Sequence, residues 1–334
     1  MNFKIYLHLI MLPVKLIIVL VFLLHPVLMY AEKPDSLFIN QHKELILKWD
    51  NDMFVFKDYY YTQGANISFI HPALQKNPVN VTLLKLKNAD HYYGLELTQE
   101  IYTPKNVTDS LLNTVDRPYS GTLFLRSFII SAVPEKKIKL TSQLDLGVLG
   151  PLSGAKQAQQ YIHEWLNLGF PVGWDFQIKN RPYINYNLLI NKTLISVPGF
   201  FDFIGNSGLR IGSIHDDFKL GGEIRAGRMN DFYKGISLTN KKYGNNRDFQ
   251  IFLFAGASAA FVIYNATLMG GIIPPKNNPY FDFNEIEKVV GEFYGGIQFS
   301  WKYLGFRTQT TWKTPEFVMG EHHGWGNISL YFRF

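Results

Sequence analysis

The sequence predicts an all-β protein: a transmembrane antiparallel β-barrel of about 12 strands with a short helix in an extracellular loop. Three observations carry this expectation. Period-two alternation recurs along the chain, an export leader opens it, and an amphipathic last strand ends it on phenylalanine. The 334 residues are 47% apolar and 18% charged, with a mean hydropathy of −0.04. The chain is too apolar for a disordered protein, yet its apolar residues are scattered rather than blocked. Aromatic residues reach 16%, from 27 Phe, 19 Tyr and 6 Trp. The absence of cysteine excludes a disulfide scaffold, a cysteine zinc site and a cysteine nucleophile together. The net charge of +6 falls to +4 when Lys4 and Lys15 leave with the leader, and this mild excess does not argue for nucleic acid.

The leader comes first. Lys4 and Lys15 precede an unbroken apolar run from Leu16 to Leu24, followed by His25-Pro26 and the small-residue ending Met29-Tyr30-Ala31. A basic region, an apolar core and a cleavage site after Ala31 make residues 1–31 a signal peptide. A retained anchor would need roughly 20 apolar residues, and Pro13, Lys15, His25 and Pro26 interrupt the run. Residues 32–334 are then one exported domain.

The strands follow. Tyr93, Leu95, Leu97 and Ile101 oppose Gly94, Glu96, Thr98 and Glu100; Ile184, Tyr186 and Leu188 alternate with Tyr183, Asn185 and Asn187. Leu220, Gly222, Ile224 and Ala226 alternate with Lys219, Gly221, Glu223 and Arg225. Segments of about ten residues with one apolar face suit a membrane barrel, although a soluble sandwich alternates too. The C-terminus separates the two. Ile328, Leu330, Phe332 and Phe334 share one face, and in a soluble domain they would leave an apolar edge in water. Between Lys43 and Phe334 about ten to twelve strands can be counted, so an even number near twelve is expected.

One stretch breaks the alternation. After Gly150-Pro151, residues Gly154 to Asn167 read as a short helix ended by Gly169 and Pro171, set at the barrel rim. Gln159 and His163 lie one turn apart on the same face, and an imidazole is a natural general base for activating water. A lone histidine on a helix surface is the plainer reading of the same residue. A second polar group sits at the first hairpin: Asp50-Asn51-Asp52 closes one strand, and Asp58 to Gly64 opens the next. Alternation places Thr62 on the polar, inward face. Carboxylate, amide and hydroxyl oxygens of Asp52, Asn51 and Thr62 suit a hard cation such as Ca²⁺, though a polar turn accounts for them as well. His322-His323 reads as loop. The chain carries no Gly-x-Ser-x-Gly, no His-Glu-x-x-His and no P-loop.

Seven short motifs then follow in order: Asn51-Asp52, Tyr60 to Gly64, Ile101 to Pro104, Asp116 to Gly121, Gly147 to Pro151, Gln159 to His163, and Pro171 to Gln177. This series resembles the outer-membrane lipid A 3′-O-deacylase family through nearly all of the mature chain. The resemblance implies a twelve-stranded barrel in the outer membrane of a Gram-negative bacterium. It also implies Ca²⁺-dependent hydrolysis of the ester-linked 3′ acyloxyacyl chain of lipid A. His163 matches the family's general base and Gln159 its helical neighbour, while Asn51, Asp52 and Thr62 match the polar group on the barrel wall. The family's basic residues between Pro104 and Asp116 reduce to Lys105, and its acidic residue just after the helix is absent, with Gly169 in that region. Lipopolysaccharide and outer-membrane lipids are the expected partners of a monomer.

Two rivals remain open from the sequence. An outer-membrane phospholipase would use a serine nucleophile, with Ser120 or Ser153 as candidates. A non-catalytic porin or structural barrel would need no such site, but about twelve strands leave a narrow, side-chain-filled lumen.

Overall fold

The computed structural model describes residues 42–55, 59–107, 116–166, 169, 171–235, 248–272 and 280–334. The leader, its cleavage site and Asp58 lie outside the described residues. Twelve strands form a closed antiparallel barrel in which each pairs with its chain neighbours. They are β1 Glu44–Asn51, β2 Tyr60–Ile70, β3 Asp90–Thr103, β4 Ser120–Val133, β5 Ile138–Leu149 and β6 Arg181–Val197. The second half comprises β7 Phe201–Gly212, β8 His215–Arg228, β9 Phe249–Asn265, β10 Val289–Trp301, β11 Leu304–Lys313 and β12 His323–Arg333. The circle closes where β1 pairs with β12, from Glu44 opposite Arg333 to Asn51 opposite Gly326. No helix among the described residues is long and apolar enough to cross a membrane.

Closure gives the wall two faces, and the alternation seen in the sequence sorts residues between them. Leu97, Leu125, Leu146 and Ile184 stand exposed on the outside, as lipid-facing residues should. Their neighbours turn inward and fill the lumen with ion pairs. Arg126 grips Asp145 through two bonds of 2.7 and 2.9 Å and reaches Glu96 at 3.0 Å. Asn187 donates to the same Asp145 carboxylate at 2.8 Å. Further round the wall Arg210 meets Asp217 and Arg225 meets Asp202. Charges in so narrow a lumen are held only because each faces a partner.

An even strand count puts both termini at one end. Connections 104–119, 150–180 and 266–288 lie at the other, while 71–89 and 229–248 lie at the end of the termini. Outer-membrane barrels keep their termini periplasmic, so the opposite end is extracellular. There an apolar cluster that includes Phe124, Tyr183, Tyr60, Phe281 and Phe317 packs across the mouth. Arg117, buried within the loop before β4, pins this plug. It donates to Glu316 Oε2 at 2.5 Å and to Thr267 Oγ1 at 2.8 Å, and its guanidinium lies 4.4 Å from the Tyr102 ring centre. Thr267 belongs to a single helical turn, Ala266–Met269, after β9. His323 is the first residue of β12 and lies buried beside the plug, so only His322 of that pair is loop.

Burial opposes the charge of Glu316, but Lys313 at 2.7 Å and Arg117 together hold its carboxyl well below the usual carboxylate range. A depressed folded-state pKa contributes stability above the unfolded value of 4.5 and loses it as pH falls through the folded value. The plug should therefore stay latched at neutral pH and weaken progressively below about pH 4.5. Glu316→Gln should destabilise the barrel by about 3–5 kcal/mol at pH 7, because Arg117 is left buried without its counter-charge. It should also flatten the acid limb of stability. Urea unfolding in lipid vesicles across pH measures both, and identical acid limbs in variant and wild type would contradict the latch.

Candidate functional site

The helix expected between 154 and 167 spans Ala155–Leu166 and is designated α1. Small residues seat it on the barrel. A methyl group added at Gly121 of β4 would overlap Ala155 Cβ and crowd Ser153 Oγ, so glycine there permits the close approach. Gly121 shares the parity of exposed Leu125, which places α1 on the outer face of the wall, over β3 and β4. Ala155 and Trp174 bury themselves against Ile101 of β3 and Tyr119, completing an apolar floor.

Ala155, Gln159 and His163 recur at four-residue spacing, and all three are buried: Gln159 is 1% exposed and His163 4%. Each of the two polar side chains has one end fixed. Trp174 Nε1, which can only donate, bonds Gln159 Oε1 at 2.7 Å. That contact sets the amide orientation and leaves Gln159 Nε2 buried without a hydrogen-bond partner among the described residues. His163 Nδ1 lies 2.6 Å from the Gly169 carbonyl oxygen. A carbonyl can only accept, so Nδ1 carries the hydrogen and the neutral ring presents the Nε2 lone pair. The Gly169 backbone carbonyl thus orients the ring.

The second group lies at the neighbouring hairpin. Asn51 ends β1 opposite Gln63 of β2, and its Oδ1 accepts from Met53 N at 2.9 Å. Asp52 follows at once in a 3-10 turn, fully buried. The expectation for Thr62 is corrected by the structure. A bulge between Tyr61 and Gln63 inserts Thr62 as an extra residue in β2. Tyr61 faces the lumen, where its hydroxyl donates to Asp50 at 2.8 Å, whereas Gln63 shares the parity of lipid-exposed Ile67. Thr62 is thereby turned out of the lumen onto Thr103 Oγ1, 2.6 Å away on β3, beside the Ile101 that lies beneath α1. Simple alternation does not anticipate a bulge.

Asn51 and Thr62 are therefore on the outer rim of β1–β3, with Gln159 and His163 on the helix laid over β3 and β4 and Asp52 buried in the turn that follows Asn51. Thr103, Trp174, Gly121 and Gly169 complete the arrangement. The first three fall inside the recognised motifs, but nothing in their local spacing states what they touch. Oxygen donors of Asp52, Asn51 and Thr62 fit a hard cation in kind, since amide and hydroxyl oxygens keep a second lone pair beyond the bonds above. No cluster of three His, Asp or Glu residues exists among the described residues, so such a cation would rest on one carboxylate and neutral oxygens. The two serine candidates lie elsewhere in role. Ser120 has the inward parity of Phe124 and bonds the Thr267 carbonyl in the mouth plug, while Ser153 Oγ accepts from Ala155 N at the start of α1.

A family model described as outer membrane protein LpxR matches residues 16–334. Among solved structures, the chain is similar to LpxR from Salmonella typhimurium, at 19% identity over 87% of this chain and 100% of that one, with a TM-score of 0.70. The β domain of the Bordetella autotransporter Brka aligns at 9% identity over 87% of this chain and 97% of its own, with a TM-score of 0.41. The translocator domain of NalP from Neisseria meningitidis aligns at 8% identity over 90% of each chain, with a TM-score of 0.40. No curated protein sequence matches. With the family match spanning nearly the whole chain and the barrel agreeing in fold, this chain belongs to the LpxR family, the lipid A 3′-O-deacylase family of the bacterial outer membrane that its motifs resemble.

Proposed function

We propose that this protein is a Ca²⁺-dependent lipid A 3′-O-deacylase, which hydrolyses the ester holding the 3′ acyloxyacyl chain by means of water activated at His163. The observation that carries the reading is the ring geometry of His163: Nδ1 is committed to the Gly169 carbonyl, and Nε2 is left as a proton acceptor on the outer wall. Family membership supports the substrate class. The location supports it too, because a site outside the barrel at its extracellular rim meets outer-leaflet lipid without extracting it.

In this reaction His163 Nε2 takes a proton from water as the oxygen attacks the acyl carbonyl carbon. The tetrahedral intermediate collapses with departure of the sugar 3′ oxygen, which receives the proton from the imidazolium. The products are the free acyloxyacyl acid and a 3′-hydroxyl on lipid A. Gln159 Nε2, on the same helix face as His163 and held by Trp174, orients the ester or its developing oxyanion. Asp52, Asn51 and Thr62 would hold the cation, whose contribution when bound is to stabilise negative charge on the carbonyl oxygen. A serine-based phospholipase is less well supported, because Ser120 faces the mouth plug and Ser153 serves the first turn of α1. A porin fits poorly with the filled lumen and plugged mouth.

Mass spectrometry of lipid A from cells making the protein tests the reaction: a whole acyloxyacyl unit should be lost, whereas lysophospholipid in its place would move the assignment to a phospholipase. His163→Ala and His163→Asn should each lower deacylation by about two to four orders of magnitude while the barrel still shifts on gels with heating. Near-wild-type activity in either would remove the base from His163. Asp52→Ala should cost at least about a hundredfold, the scale of losing an oxyanion partner. Excess chelator should silence the wild type to a similar degree. Activity that survives both treatments would eliminate the metal role.

A further inference from the structure

At the periplasmic end, the connection between β2 and β3 is built unlike the tight turns 134–137, 198–200 and 302–303 beside it. It runs through two successive 3-10 turns, Pro72–Lys76 and Pro78–Thr82. Each turn is entered by a side-chain cap: His71 Nδ1 accepts from Ala73 N at 3.0 Å, and Asn77 Oδ1 from Val79 N at 3.1 Å. The segment neither enters the lumen nor projects into the periplasm. Leu83 is fully buried against Tyr93 and Ile129, with Leu74, Leu144 and Tyr186 packed alongside. Tyr93 has the parity of Leu97, 47% exposed, and Ile129 that of Leu125, 49% exposed, so this contact lies on the lipid face of the barrel. Two hydrogen bonds fasten it there, from Asn77 Nδ2 to Ser127 Oγ and from Leu84 N to the Tyr186 hydroxyl, both 3.0 Å. Polypeptide therefore covers the outer wall of β3 to β6 at the periplasmic end of the barrel.

The outward side of this cover is basic and partly apolar. Between Ile70 and Asp90 it carries Lys76, Lys85 and Lys87 and no carboxylate. Lys76 and Lys85 are exposed, as is Val81 at 64%. Lys85 Nζ lies 5.6 Å from the centre of the Tyr93 ring, and burial there draws it below the ordinary lysine range. A neighbouring anion would offset that desolvation. A lysine set above an apolar anchor at a membrane boundary is complementary to a phosphate set above acyl chains.

We propose that residues 72–87 form a headgroup site for an anionic glycerophospholipid of the inner leaflet. Lys85, set over the Tyr93 ring, meets the phosphate, Lys76 adds positive charge to the same cover, and Val81 lies against the glycerol–acyl boundary. The site is at the opposite end of the barrel from His163 and is independent of the catalytic reading.

Each lysine near an anionic headgroup is worth roughly fivefold in affinity, so losing two should weaken binding about 25-fold. The full barrel in detergent, titrated with phosphatidylglycerol or phosphatidylethanolamine and weighed by native mass spectrometry, provides the test. Wild type should hold phosphatidylglycerol in preference to phosphatidylethanolamine. The double variant Lys76→Gln, Lys85→Gln should lose that preference by the stated factor, with binding of phosphatidylethanolamine unchanged and the heat-dependent gel shift intact. Absence of a preference in wild type, its survival in the double variant, or displacement of the lipid by millimolar inorganic phosphate would each overturn the proposal.

Discussion

The pairing of β1 with β12 is the contact on which the rest depends. In hydrocarbon there is no water to satisfy an open sheet edge, so the strands can cross only if the ladder returns to its start. Once closed, the wall has an inside and an outside, and every residue's neighbours follow from which side its parity selects. The inside carries Arg126, Arg210 and Arg225 with their carboxylate partners. The outside must be apolar unless something covers it.

Polar chemistry on the outside of such a wall is therefore an exception that needs cover. At the extracellular rim the cover is α1, drawn close by Gly121 and floored by Ile101, Tyr119 and Trp174. The same packing that shields Gln159 and His163 from lipid also restricts them to one orientation each, through Trp174 and the Gly169 carbonyl. Shielding and orientation are one event here, because the hydrogen bond that satisfies one polar atom of each buried side chain also fixes the direction of the rest. The bulge in β2 contributes from the other side by delivering Thr62 to Thr103. Arg117 ties this rim to the mouth plug, since its loop runs directly into the Tyr119 that packs on Trp174.

The periplasmic end obeys the same constraint with a different solution. Residues 71–89 cover the wall through Leu83, and their own polar groups are met by capping side chains and by outward-facing Ser127 and Tyr186. The barrel thus carries two added layers on its lipid face, each at a leaflet boundary where one side of the layer can be wet.

The sequence by itself pointed to an even strand number near twelve, to the single long helix and to Asn51, Asp52, Thr62, Gln159 and His163 as candidate site residues. Those features are local: period-two alternation, a helix-forming run ended by Gly169 and Pro171, and motifs in fixed order. Only the tertiary structure decided on which face of the wall Thr62 and the helix lie. Thr62 reads as inward from Gly64 and Asn66, and a single inserted residue reverses it, because strand parity is set by pairing with β3 and not by β2 alone. The orienting partner of His163 was equally hidden, since a backbone carbonyl has no residue type to recognise. Ser120 looked close to the helix in motif order, yet adjacent positions on a strand point to opposite sides, and the thickness of the wall separates it from the outer face where Gly121 receives α1.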